Sequence, residues 1–105
     1  MIQTLEEKKA EDIILMDIRE VASFTDYFII CSGTSDRMLS SLVEAVLKTA
    51  KRYIKTISKP EGEPSGGWMV VDLGDIVLHI FSPDQREYYQ LEKLWDRGKI
   101  LVRVQ

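Results

Sequence analysis

Short apolar runs along the chain predict β-strands. Residues 13–18 (IILMDI) and 27–32 (YFIICS) are almost wholly apolar and rich in β-branched or aromatic side chains, which is typical of strands buried inside a sheet. Residues 100–104 (ILVRV) alternate in polarity, and they predict a short edge strand or an ordered tail.

Helical periodicity follows the second of these strands. From Met38 to Ala50, apolar residues recur every three or four positions, which places them on one face of an α-helix. Thr34 or Ser35 can cap the N-terminus of that helix, and Asp36 stands where a negative charge favours the helix dipole. A strand, a helix and a further strand in this order predict a parallel, right-handed crossover.

A second helix is predicted for residues 82–98. Ser82 is a suitable N-cap, Pro83 stands at the first helical position, and Gly98 follows the last one. Four residues at helical spacing would face inward: Tyr88, Leu91, Leu94 and Trp95.

The remaining segments give weaker signals. Residues 2–11 predict only a short helix, because isolated short helices are marginal in water. Residues 58–67 (SKPEGEPSGG) contain two prolines and three glycines and predict a loop. We therefore expect residues 1–105 to form one α/β domain with a mixed sheet, covered unevenly by helices.

The stretch GGWMVVDLGDIVLHIF, residues 66–81, predicts a β-hairpin. Gly74 and Asp75 would form its two-residue turn, with glycine at the first central position. Because side chains alternate along strands, one face would hold only aliphatic residues and pack on the core. The second face mixes polar and apolar groups: Trp68, Val70, Asp72, Val77, His79 and Phe81.

Two interpretations of this second face stay open at the level of the residues. Asp72 and His79 are diagonal neighbours and can form a structural hydrogen-bonded pair. Alternatively the face recognises a partner, because Trp68 adds a large aromatic side chain to it.

Composition narrows the class of function. The chain has 105 residues, of which 45% are hydrophobic, and a net charge of −3, unlike the basic balance of most nucleic-acid-binding domains. Its one cysteine, Cys31, excludes an internal disulfide and fits a reducing, cytoplasmic setting. We find no apolar stretch long enough to cross a bilayer and no signal-peptide core.

A basic patch lies near the end of the first long helix. It comprises Lys48, Lys51, Arg52 and Lys55. Compensation of the helix dipole explains these residues better than binding of RNA does.

The turn GTSDR, residues 33–37, has the outline of a phosphate loop. It lacks the Gly-Lys-Ser/Thr and G-x-G-x-x-G motifs, and a helix cap explains the same residues. A nucleotidyltransferase would also need two carboxylates on one strand to hold Mg²⁺. Asp72 is one, but Val70 stands two residues before it and Asp75 falls in the turn.

Other catalytic groups are sparse. Cys31 lies inside an apolar strand, where a thiol is usually buried and inert. His79 is the only histidine, so a usual zinc site cannot form. We expect no catalytic residue, no metal and no cofactor.

Three ordered segments resemble the ribosomal silencing factor family, also called Iojap-like proteins. They are DIREVASFTDYFIICSGTSDR, EGEPSGGWMVVDLGDIVLHIF and REYYQLEKLW. The resemblance runs from about Lys9 to Trp95 and implies a single Iojap-like ribosome-binding domain over residues 1–105. It also implies a nucleotidyltransferase-like topology without the catalytic carboxylates, in agreement with the missing partner of Asp72.

The resemblance further implies a function. The family binds ribosomal protein fourteen of the large subunit and blocks joining to the small subunit, which represses translation. We then expect a non-enzymatic, cytoplasmic protein with little direct RNA contact and a possible homodimer, whose second hairpin face, from Trp68 to Phe81, binds the partner. The rival hypotheses are a nucleotide-binding enzyme of nucleotidyltransferase type and a structural homodimer that closes on this face.

Overall fold

The computed structural model describes residues 1–54, 59–94 and 97–104. The elements follow in the order α1 (Ile2–Glu7), β1 (Glu11–Asp17), β2 (Tyr27–Ser32), α2 (Asp36–Ala50), β3 (Glu61–Glu63), a 3₁₀ turn (Pro64–Gly66), β4 (Trp68–Asp72), β5 (Ile76–Phe81), α3 (Pro83–Tyr89), α4 (Leu91–Leu94) and β6 (Lys99–Val104). The strands form one sheet in the order β3-β4-β5-β2-β1-β6. β2 and β5 are parallel and the other neighbours antiparallel, so the predicted mixed α/β fold is confirmed.

The strands predicted from apolar runs are all present. β2 has the predicted bounds, whereas β1 begins two residues earlier than the apolar run and ends at Asp17. β6 pairs with β1, so the edge-strand interpretation of residues 100–104 is correct. The terminal strands of the chain therefore lie side by side.

α1 and α2 cover one face of the sheet and close the main core. α2 buries five residues of its predicted apolar face: Leu39, Leu42, Val43, Val46 and Ala50. Its N-cap is Ser35, whose Oγ accepts a hydrogen bond from the backbone N–H of Met38 at 3.1 Å. The aliphatic face of the hairpin packs here, with Val71 and Leu78 fully buried.

The loop predicted for residues 58–67 is wrong for residues 61–66, whereas residues 59, 60 and 67 lie in no helix or strand. β3 pairs with β4 there, and the 3₁₀ turn follows. Gly62 has a φ of +96°, and a Cβ at this position would collide with the Trp68 carbonyl oxygen. β3 is therefore a short strand that needs glycine for its close approach to β4. The predicted parallel crossover took β4 as the strand that follows α2, and this is wrong, because β4 runs antiparallel to β2. The strand that does follow α2 is β3, which has the direction of β2 but is separated from it by β4 and β5.

The helix predicted for residues 82–98 is interrupted. Ser82 caps α3 as expected, accepting from the N–H of Gln85 at 3.3 Å, but Gln90 is left-handed at φ 45° and ψ 54°. The break changes the helical phase, so Tyr88 is 78% exposed instead of inward, while Leu91 is buried as predicted.

Three features of the sequence predictions lie outside the described residues: the side chain of Leu94, the whole of Trp95, and Lys55 of the basic patch. Within the described part, no helix has the length and apolarity needed to cross a membrane.

Candidate partner-docking face

The face of the sheet opposite α1 and α2 carries a second apolar cluster. Its buried members are Ile14, Met16, Ile18, Phe28, Ile30, Val77, Phe81 and Leu91. Val21 and Ala22, which follow β1, and Leu91 of α4 belong to the cluster or pack against it. The chain itself therefore covers much of the second hairpin face.

The predicted hairpin register is confirmed. Asp72 lies opposite Val77, and the N–H of Leu73 donates to the carbonyl of Ile76 at 2.8 Å. Gly74 has a φ of +89°, the left-handed conformation that glycine adopts without strain at the first central position of the turn. The six predicted partner-binding residues thus share one face.

The six residues differ in how far a partner could reach them. Val77, His79 and Phe81 are buried inside the chain. Trp68 and Val70 are half-buried, and Asp72 is exposed. A docking partner could reach the β4 side of this face, which we call the β4 strip (Trp68, Val70 and Asp72), but not the β5 side.

The structural pair suggested for Asp72 and His79 is wrong. The Oδ1 of Asp72 accepts the N–H of Gly74 at 2.9 Å, because this side chain stands beside the turn. The Nδ1 of His79 instead accepts the indole N–H of Trp68 at 3.2 Å. Burial lowers the pKa of His79 to about 4, so the ring is neutral at pH 7 and carries its proton on Nε2.

Trp68 belongs to a row of ring contacts across the face. It stacks on Phe81, with centroids 4.9 Å apart and planes at 29°, and contacts Tyr89 of α3 at 4.6 Å. Tyr88 meets Tyr89 edge-on at 4.9 Å and extends the row into solvent. The sequence pattern predicts that Tyr88 faces inward and assigns no position to Tyr89, because the predicted helix continues through Gln90. The REYYQ stretch, with adjacent tyrosines at a helix end, was the available signal.

Acidic side chains border the β4 strip. Glu61 lies opposite Val70 and Glu63 opposite Trp68, so both carboxylates are on the docking side of the sheet. Both are exposed, as is Asp72 at the far end of β4. We call Glu61, Glu63 and Asp72 the acidic rim.

A buried arginine anchors the helix that carries the tyrosines. The Nη1 of Arg86 donates to the Oγ of Ser32 at 3.0 Å, at the end of β2. Its Nη2 lies 3.4 Å from a carboxylate oxygen of Asp12, and its Nε lies 3.7 Å from one of Glu92. Arg86 thus takes the inward position that was predicted for Tyr88, and it positions α3 beside Trp68.

The residues considered for catalysis are not brought together. Cys31 lies opposite Ile80 in the main core, while Ile30 lies opposite His79, so the thiol and the imidazole point to different faces of the sheet. Burial raises the pKa of the Cys31 thiol to about 12, which keeps it protonated. Across the described ranges, no three His, Cys, Asp or Glu side chains are grouped as a metal site would require.

Comparisons with known proteins agree with one another. A model of the family described as "Ribosomal silencing factor during starvation" matches residues 1–104. The chain is 41% identical to "Ribosomal silencing factor RsfS" of Haemophilus influenzae over 95 residues, covering 90% of this chain and 93% of that protein. It is 40% identical to the protein of the same name from Bacillus subtilis over 90 residues, covering 86% and 76%. A crystal structure of a Chromobacterium violaceum protein matches with a TM-score of 0.84 at 35% identity, covering 96% of this chain and 86% of that one.

Proposed function

Because the chain belongs to the ribosomal silencing factor family, we propose that it binds the large ribosomal subunit and blocks joining to the small subunit. The contact would be made through ribosomal protein fourteen of the large subunit, and the result would be repression of translation. The bound protein acts as a steric obstacle, so the mechanism needs an interface and no chemical step.

The half-buried Trp68 in its acidic surroundings carries the proposal. Tryptophan is a common anchor of protein interfaces, because it buries a large area while losing few rotamers. Val70 extends the apolar contact along β4, and Tyr89 supplies a second aromatic edge 4.6 Å from the indole. Together they form a small apolar centre with a polar border, which is the usual anatomy of such interfaces.

The hydrogen bond from Trp68 to His79 orders the tryptophan side chain before a partner binds. It occupies the indole N–H at 3.2 Å, so a partner can cover the ring without leaving that donor unsatisfied. Stacking on Phe81 restrains the orientation of the Trp68 indole ring. An anchor that is already ordered loses less conformational entropy when the complex forms.

The acidic rim favours a basic partner. Glu61, Glu63 and Asp72 would face cationic side chains, which ribosomal proteins often present, and would speed the encounter by electrostatic attraction. Attraction between exposed charges is screened by salt, so the association rate should fall as ionic strength rises.

Sedimentation with purified large subunits tests the proposal. The wild-type protein should travel with the large subunit and suppress joining when small subunits are added. The pair Glu61→Lys and Glu63→Lys should weaken binding about tenfold or more, because two exposed charges on the docking side are reversed. The matched control, Glu7→Lys with Glu44→Lys, makes the same charge change on α1 and α2, across the sheet, and should bind as wild type does.

Two results would count against the proposal. Failure of the wild-type protein to sediment with large subunits would contradict the function. Full binding by the Glu61 and Glu63 variant, together with weak binding by the α1 and α2 control, would place the interface on the opposite face of the sheet.

A further inference from the structure

β6 presents a second apolar surface, remote from the β4 strip. It is the last strand on its side of the sheet and pairs only with β1 among the described strands. Ile100 and Leu101 are each 50% exposed, and Val102 is 39% exposed. Edge strands are usually short or interrupted by charge, because their free N–H and C=O groups invite further pairing. Three consecutive exposed apolar residues on such an edge therefore need an explanation.

The apolar side chains lie on both faces of the sheet. Val102 is opposite Leu15 and Ile100 is opposite Met16, so these two side chains point in opposite directions. Leu101 is the extra residue of a bulge, because two steps on β6 match one step on β1. A strand added outside β6 could thus place apolar side chains beside Ile100 on one face and Val102 on the other.

Basic groups surround the beginning of β6. Lys99 opens the strand, and a cleft of about 340 Å³ beside it is lined partly by Arg19 and Arg97. Two carboxylates, Asp17 and Glu20, line the same cleft, so its three cations outnumber its anions by one, and Asp17 is already paired with Arg19 at 2.7 Å. At the other end of the strand, Arg103 is paired with Asp12 at 3.2 Å. Positive charge is therefore most available where β6 begins.

This charge pattern selects among possible occupants. If a second copy paired through its own β6 in the antiparallel register centred on Leu101, Lys99 would face Arg103 of the other copy, and like charges directly opposite are unfavourable. A strand that carries carboxylates would instead place opposite charges beside Lys99, which is favourable. In an antiparallel addition the C-terminal end of the new strand lies beside the beginning of β6, which is where its carboxylates are needed.

We propose that β6 accepts an extended segment of a partner protein as a seventh strand. The segment runs antiparallel to β6 and carries β-branched apolar residues followed by acidic residues. Backbone hydrogen bonds supply the attachment, the contacts to Ile100, Leu101 and Val102 supply the apolar part, and Lys99 with Arg97 selects the acidic end. This site is independent of the β4 strip and of the function proposed above.

A labelled peptide tests the proposal. The probe is fluorescein-Thr-Val-Ile-Val-Glu-Glu, followed by fluorescence anisotropy, and the control peptide has lysines in place of both glutamates. The wild-type protein should bind the acidic peptide about tenfold or more tightly than the lysine peptide. Leu101→Lys should weaken binding of the acidic peptide about tenfold, whereas Tyr53→Lys, an equal change at another exposed apolar residue, should not. Lys99→Glu should reverse the preference between the two peptides.

Several outcomes would overturn the proposal. They are no binding at millimolar peptide, equal binding of the acidic and lysine peptides, and full binding by folded Leu101→Lys. A mass by light scattering that falls from dimer to monomer in Leu101→Lys would identify the occupant as a second copy. Leu101 is an exposed bulge residue, so its substitution should leave the fold intact, and the two peptides and Lys99→Glu test the charge preference separately.

Discussion

Replacing Arg86 by methionine tests how α3 is held to the sheet. The substitution keeps a long, flexible apolar side chain but removes the guanidinium and its contacts with Ser32, Asp12 and Glu92. Because these contacts join α3 to β1, β2 and α4, we expect Arg86→Met to loosen the helix that places Tyr89 beside Trp68.

The loss of stability expected for Arg86→Met depends on how exposed each partner of the arginine is. Ser32 is buried, so losing its donor should cost about 1–2 kcal/mol, as for a buried hydroxyl left without a partner. The side chains of Asp12 and Glu92 are 36% and 22% exposed, so water can reach part of each carboxylate once the arginine is gone. The full loss of about 3–5 kcal/mol known for breaking a fully buried ion pair therefore should not appear. We expect Arg86→Met to lower the free energy of unfolding by about 2 kcal/mol, the Ser32 hydroxyl being the largest part.

Urea denaturation of a double-mutant cycle measures this directly. Ser32→Ala alone should cost about 1 kcal/mol, and the coupling between the two substitutions should be about 1 kcal/mol in magnitude, because they remove the same hydrogen bond. A stability of Arg86→Met equal to or above that of wild type would refute the reasoning. It would mean that desolvation of the guanidinium costs more free energy than its contacts contribute. Its Nε and Nη2 make no hydrogen bond with the described residues.

Three further predictions follow from the fold. Ser35→Ala should lower the free energy of unfolding by about 1 kcal/mol, because Ser35 caps α2, whereas Thr34→Ala should change it by much less; urea midpoints compare the two. The pKa of His79 is lowered from 6.5 to about 4 in the folded state, so the stability that this neutral ring contributes is complete above pH 6.5 and is lost as pH falls towards 4. His79→Gln should therefore show a shallower fall in stability between pH 7 and pH 4, and parallel curves would contradict the assignment. Calorimetry with ATP or GTP and Mg²⁺ should detect no binding at millimolar nucleotide, because Asp72 has no second carboxylate on its strand; micromolar binding that Asp72→Asn abolishes would support the nucleotidyltransferase alternative.

Local signals in the sequence were sufficient for the hairpin and for α2. Gly74-Asp75 sets the register of β4 and β5 through the turn alone, and the apolar spacing after Ser35 identifies the buried face of α2. Both are decided within about fifteen neighbouring residues, where periodicity and capping act. The same signals correctly placed the six residues of the second face on one side of the sheet.

Contacts between distant segments decided the parts that sequence analysis missed. Composition assigned residues 61–63 to a loop, but pairing with β4 makes them a strand. The left-handed Gln90 has no clear sequence signal, and in α3 the inward position belongs to Arg86 and not to Tyr88 as predicted. His79 had two diagonal neighbours on its face, and the long indole of Trp68 reached it while the short Asp72 side chain bonded to the turn.

The central pair of strands has a consequence for how the chain folds. β2 and β5 are neighbours, although α2, β3 and β4 all lie between them in sequence. Their pairing must close a long loop before the contacts stabilise it, whereas the β4–β5 hairpin and α2 can form from adjacent residues. We expect the hairpin to form first and the pairing of β2 with β5 to limit the rate. β6 completes its side of the sheet only once β1 is in place, because β1 is its neighbour among the described strands.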